Sequence, residues 1–127
     1  MVDLQKSSRK ENSKAELAGK IYVKIHNTPE GSIIAMCDGE LIGSRHSEGK
    51  MELDLESYAN FYIGDLVGPE EAGTLIHEID FYTANIVGEI SVGIFIGKKM
   101  AEASEIRRVG KVPCLHLFKM DFRSASL

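Results

Sequence analysis

Apolar and polar residues alternate with period two over Ile21-Tyr22-Val23-Lys24-Ile25-His26. That pattern predicts a strand with Ile21, Val23 and Ile25 on one face. Turn chemistry follows at Asn27-Thr28-Pro29-Glu30-Gly31, and then a second β-rich run, Ile33-Ile34-Ala35-Met36-Cys37-Asp38, so the pair reads as a hairpin. If Asn27 lies opposite Ser32, His26 faces Ile33 and Cys37 faces Tyr22. Ile34 and Met36 then join the core side, while Tyr22, Lys24, His26, Ile33, Ala35 and Cys37 point the other way. Lys50 to Leu55 alternates as a third strand, with Met51, Leu53 and Leu55 on its apolar side. Pro69 suits a first helical position, with Glu70 and Glu71 in the opening turn, where the helix dipole favours anions. Ala72, Leu75, Ile76, Ile79, Tyr82, Thr83 and Ile86 recur at helical spacing, and Gly88 is placed to stop that helix. Residues 89–103 fit either period: Ile90, Val92, Ile94 and Ile96 alternate, yet Ile90, Ile94 and Met100 or Ala101 also form a helical stripe. The run from Val112 to Lys119 is β-rich, with Pro113 near its start.

Composition limits this pattern to one domain. The chain has 127 residues, 43% of them hydrophobic, enough for a single core. Its apolar runs are far shorter than the roughly 20 residues a membrane helix needs, and the first residues lack the apolar centre of a signal peptide. No membrane association and a cytoplasmic location are therefore expected. Residues 1–18 are too polar to offset the entropy of ordering and read as a flexible tail. The domain is expected over 19–120, with a C-terminal tail at 121–127. Cys37 and Cys114 lie far apart and form no CxxC pair, which favours two reduced thiols. The net charge of −4 is unevenly spread: residues 30–90 carry thirteen acidic and two basic side chains, and 91–127 carry seven basic and three acidic.

Cys37-Asp38 is the most chemical-looking pair in the chain. A nucleophilic role for Cys37 needs a base within hydrogen-bond reach, and Lys24 on the same face would lower its pKa. The hairpin register, however, sets His26 on the order of 13 Å from Cys37. A small buried filler is the favoured reading of Cys37, and Asp38 then shapes the bend at Gly39. Asn85 either caps a helix end or presents its amide to a base or peptide group. His26, Cys37, Asp38, His46, His77, Cys114 and His116 are the available metal ligands, but neither HExxH nor a paired CxxC occurs, so no metal and no cofactor are expected. Gly93-Ile94-Phe95-Ile96-Gly97-Lys98-Lys99 is one residue short of a P-loop and lacks the following Ser or Thr. A nucleic-acid surface would draw on Lys98, Lys99, Arg107, Arg108, Lys111, Lys119 and Arg123, with Phe118 and Phe122 as stackers. The sequence pI of about 5.6 is unlike that of dedicated binders.

Five stretches together resemble an archaeal family of uncharacterised proteins, domain of unknown function 424. They are Lys24-Ile25-His26, Ala35-Met36-Cys37-Asp38-Gly39-Glu40-Leu41-Ile42-Gly43, Phe61-Tyr62-Ile63-Gly64, Ala84-Asn85-Ile86-Val87-Gly88 and Gly110-Lys111-Val112-Pro113. The resemblance spans roughly residues 20–118 and implies that 89–102 is helical; it brings no activity with it. The expected architecture is a two-layer α+β domain, a small and mostly antiparallel sheet packed on two helices. Its strands fall near 20–26, 33–38, 50–55 and 112–119, and its helices near 69–83 and 89–102. Two functions remain open. The first is a non-catalytic binding or adaptor module for a protein or ribonucleoprotein partner, RNA included, with Glu40, Asn85, Lys98, Lys99, Arg107 and Arg108 as binding residues. The second is a small enzyme whose pocket gathers Cys37, Asp38, Glu40 and Asn85. A homodimer is compatible with either.

Overall fold

The chain was described from a computed structural model covering residues 14–118. The polar tail up to residue 13 and the C-terminal residues from 119, among them Lys119, Phe122 and Arg123, lie outside the described residues. A short helix, α1 (Lys14–Leu17), leads into β1 (Ile21–Thr28), which turns at Pro29-Glu30 into β2 (Gly31–Asp38). The two strands pair antiparallel with Asn27 opposite Ser32, His26 opposite Ile33 and Tyr22 opposite Cys37. That is the register expected from a turn that sets Asn27 opposite Ser32.

After a 3-10 turn at Gly39–Leu41, β3 (Arg45–Glu48) and β4 (Met51–Asp54) form a separate hairpin. There follow a single turn of helix, α2 (Ala59–Tyr62), an edge strand, β5 (Asp65–Val67), and α3 (Pro69–Glu78). The chain then enters β6 (Phe81–Val87), runs through α4 (Glu89–Gly97) and finishes with β7 (Arg107–Val109) and β8 (Val112–Phe118). The main sheet has six strands in the order β5-β1-β2-β6-β8-β7. It is mostly antiparallel, but β2 and β6 run parallel. The expected α+β class therefore holds at the coarse level, with a mixed rather than purely antiparallel sheet.

Two helix boundaries differ from the periodic reading. The helix predicted over 69–83 ends at Glu78, and Tyr82, Thr83 and Ile86 belong to a central strand. Ile79 already has extended backbone, and a strand covered on both faces loses the simple alternation of a half-exposed one. A β-bulge against Ser32 and Ile33 shifts the phase further, so Phe81, Thr83, Ala84, Ile86 and Val87 are all buried and mimic a helical stripe. The helix expected over 89–102 is real but stops at Gly97. Gly88, expected to end a helix, instead begins one: it stands at the N-cap of α4 with φ 110°.

α3 and α4 cover one face of the sheet. Ile21, Val23, Ile34, Met36, Ala84, Ile86, Leu115 and Leu117 pack there with Ala72, Ile76, Val92 and Phe95. Burying each large aliphatic or aromatic side chain stabilises the fold by about 1.5–3 kcal/mol. Ile25, expected in this core, is 36% exposed, because it lies where the cover of α3 ends. The opposite face is covered only in part, by the excursion between β2 and β5. Leu41, Ile42, Leu53, Leu55, Phe61 and Tyr62 from that excursion pack on Ala35, Cys37, Val87, Val112 and Cys114.

Candidate functional site

Chemistry-bearing side chains gather on the uncovered half of that outer face. The strand registers place His26, Ile33, Thr83 and Phe118 in one row across the sheet, and Lys24, Ala35, Asn85 and His116 in the next. Arg107 joins the same face beside Cys114. The excursion covers only the His26 end of the outer row. Phe118 is 61% exposed and Tyr82 42%, their rings meet edge to face at 6.4 Å, and His116 lies 4.6 Å from Phe118. At the other end of the row His26 is held in place: Phe61 stacks on its ring at 4.5 Å, and its Nε2–H donates to the Phe61 carbonyl at 2.8 Å. Lys24 is likewise committed, donating to the Asn60 carbonyl at 2.9 Å.

Where the excursion meets the sheet, a cleft of about 600 Å³ opens between β4, α2 and Asn85. Tyr58, Phe61 and Tyr62 supply its aromatic walls, and Glu52, Asp54 and Ser57 its polar lip. Asp54 is fixed by a 3.0 Å ion pair to Arg45 and by the backbone N–H groups of Glu56 and Ser57. The hydrogen bond from Arg45 and those from the Ser57 backbone and side chain hold its carboxyl well below the usual carboxylate range. Asn85 sits half-buried in the middle of β6, not at a helix end as its neighbours suggested. Its amide has no hydrogen-bond partner among the described residues and is open to this cleft.

Cys37 and Asp38 are both engaged inside the fold. Cys37 is fully buried, and burial, with the charge of Asp38 beside it, pushes the thiol pKa up. Its Sγ–H points at the Asp38 carbonyl; among the described residues no base hydrogen-bonds to it, and Lys24 donates to the Asn60 carbonyl instead. Asp38 does not cap the Gly39 bend. It reaches across to the start of α4, where Oδ2 accepts from Ile90 N–H at 3.0 Å and Oδ1 accepts from Ser91 N–H at 2.8 Å and Ser91 Oγ–H at 2.7 Å. Ligands of α/β sheets collect beyond the carboxyl ends of parallel strands, and anions collect at helix N-termini. Here the protein's own carboxylate fills that position. A second cleft of about 400 Å³ beside it is lined by Lys20, Asp38, Glu40, His46, Glu89 and Lys111 together with apolar residues. The expected grouping of Cys37, Asp38, Glu40 and Asn85 is therefore divided: Asp38 and Glu40 line one cleft, Asn85 the other, and Cys37 neither.

The basic residues also separate. Lys98 and Lys99 end α4 on the helical side, where the Lys98 side chain lies over Gly73 of α3. Arg107 is on the outer face, whereas Arg108 turns to the helical side, paired with Glu89 at 3.1 Å. Among the described residues no group of three His, Cys, Asp or Glu stands close enough to hold a metal, and no helix is long and apolar enough to cross a membrane. Sequence reasoning missed Ser91, Tyr58 and Phe61. A usable signal existed for the last two, since Tyr58-Ala59-Asn60-Phe61-Tyr62 holds three aromatics in five residues outside any periodic run.

A family model described as "Protein of unknown function (DUF424)" matches residues 25–120. The fold is similar to the crystal structure of an uncharacterized conserved protein from Methanopyrus kandleri. That match has a TM-score of 0.67 and 25% sequence identity, and covers 78% of this chain and 90% of the other. No curated protein matches the sequence.

Proposed function

The chain belongs to the DUF424 family of proteins of unknown function, and from that premise we propose that it is a non-catalytic binding module that presents the open half of its outer sheet face to a macromolecular partner. One observation carries the reading: Tyr82, His116 and Phe118 are exposed side by side on a sheet face, next to an Asn85 amide with no partner among the described residues. Exposed aromatics in a contiguous patch mark interaction surfaces, and aromatic side chains anchor interfaces. The enzyme reading has less support. Its nucleophile is buried without a base, and its carboxylate is spent on a helix N-terminus.

The test uses a photo-crosslinking amino acid placed at Phe118 or, as control, at Glu70 on the exposed side of α3. Adducts are expected at position 118, lost when His116→Ala and Tyr82→Ala are added and competed away by excess wild-type chain. Equal adduct formation at both positions, or none at 118, would show that this face is not a binding surface.

A further inference from the structure

We infer that the cleft beside Asn85 takes a cationic side chain, a guanidinium above all, from an extended basic segment of a partner polypeptide. This rests on the binding-module reading and adds the chemistry of the partner. Charge decides first. The charged residues lining the cleft are Glu52 and Asp54, and no Lys, Arg or His lines it. Asp54 stays ionised because its hydrogen bonds favour the charged form. Arg45 offsets that charge and also attracts Glu52 electrostatically, but Glu52 has no hydrogen-bond partner among the described residues. A phosphate entering here would meet like charge in a partly desolvated space, whereas a cation meets opposite charge.

Shape and hydrogen bonding agree with charge. Tyr58, 67% exposed, lines the cleft, and cations are attracted to aromatic ring faces. The Asn85 side-chain amide, which lines the cleft, brings a neutral acceptor that a guanidinium with its five N–H donors uses better than an ammonium. The rest of the segment then lies over His116, Phe118 and Tyr82.

The full chain, labelled with 15N, is titrated with acetyl-Gly-Gly-Arg-Gly-Gly-amide, with the isosteric neutral citrulline peptide and with an eight-nucleotide oligouridylate. The arginine peptide should shift the Asn85 side-chain amide and the Tyr58 and Phe61 backbone resonances saturably, and the citrulline peptide should bind several-fold more weakly. Tyr58→Ala and Glu52→Gln, both at exposed positions that leave the core intact, should each weaken the arginine peptide roughly three- to tenfold. Equal response to citrulline, shifts confined to other residues, no shift at all, or oligouridylate moving Asn85 where the arginine peptide does not, each overturns the inference. Crosslinking at position 118 that survives any of these results keeps the binding module and removes only its cationic partner.

Discussion

The contact between Asp38 and the start of α4 invites removal one atom set at a time. Asp38→Ala strands the N–H groups of Ile90 and Ser91 and the Ser91 hydroxyl, all three now bonded to one carboxylate. A hydrogen bond to a charged partner contributes about 1.5–3 kcal/mol, and a buried donor left unpaired costs about 1–3 kcal/mol. Ile90 is only half-buried and finds water, so the fully buried Ser91 dominates the sum. The expected loss is about 3–4 kcal/mol, above the ordinary range of about 0.5–2 for an N-cap, because the cap comes from a distant strand and ties two elements together. Asp38→Asn keeps the shape and one acceptor but turns an NH2 toward donors, for a loss of about 2 kcal/mol; Ser91→Ala loses one bond, about 1 kcal/mol. Urea unfolding followed by far-UV circular dichroism measures each variant, and the double variant closes the cycle. Coupling of at least about 0.5 kcal/mol is expected between positions 38 and 91. Strict additivity, or a loss under about 1 kcal/mol for Asp38→Ala, would refute the capping argument and return Asp38 to the pool of residues free for other work.

Three further outcomes follow from local geometry. Lys99 has φ +60° at the residue that closes α4, where Lys99 N–H bonds Ile96 and Met100 N–H bonds Phe95; this left-handed cap suits glycine, so Lys99→Gly should stabilise by about 0.5–1 kcal/mol in the same urea assay. Tyr62 is buried, and desolvation, with Cys37 and Cys114 nearby, raises its hydroxyl pKa to about 12; because the folded value lies above the unfolded one, its stabilising contribution is complete below about pH 10 and is lost as pH rises toward 12. Absorbance at 295 nm should show one of the four tyrosines ionising last, and Tyr62→Phe should flatten the alkaline stability loss. Iodoacetamide at neutral pH should leave Cys37 unmodified in the native chain and label it only in urea, with half-buried Cys114 reacting first; rapid native labelling of Cys37 would revive the enzyme reading.

What the sequence disclosed about the fold was local. The hairpin register followed from Asn27-Thr28-Pro29-Glu30-Gly31 and a two-residue period, and it held from Thr28 opposite Gly31 to Ile21 opposite Asp38. β6 was misread because its environment is not local: it lies between β2 and β8, is covered by helices on one face and by the excursion over part of the other, and carries a bulge. Phe81, Thr83, Ala84 and Ile86 are buried for reasons that belong to other elements. Tertiary contact chose strand over helix, and periodicity had no access to that contact. Gly88 shows the same limit. Glycine at a helix boundary was legible, but which boundary depended on Asp38, fifty residues upstream, arriving close enough that a Cβ at 88 would collide with its carboxyl group.

The candidate site was legible as a set of residue types and illegible as a place. Cys37, Asp38 and Asn85 drew attention because their side chains can do chemistry, but burial decides whether they are free to. The hairpin pattern correctly separated His26 from Cys37 and so argued against a dyad. It said nothing of Asp38, whose partners Ile90 and Ser91 lie across a parallel strand pair that no run of residues announces. Conversely, Tyr82 read as part of a helical stripe, and Phe118 as a stacker on a nucleic-acid surface. They stand in water because the excursion between β2 and β5 is long enough to cover the Cys37 end of the outer face, and ends, at Phe61 stacked on His26, before it reaches the Phe118 end. The exposed surface is thus set by where one connection stops. Lengthening that connection should bury the aromatic row and remove binding without touching a single contact residue.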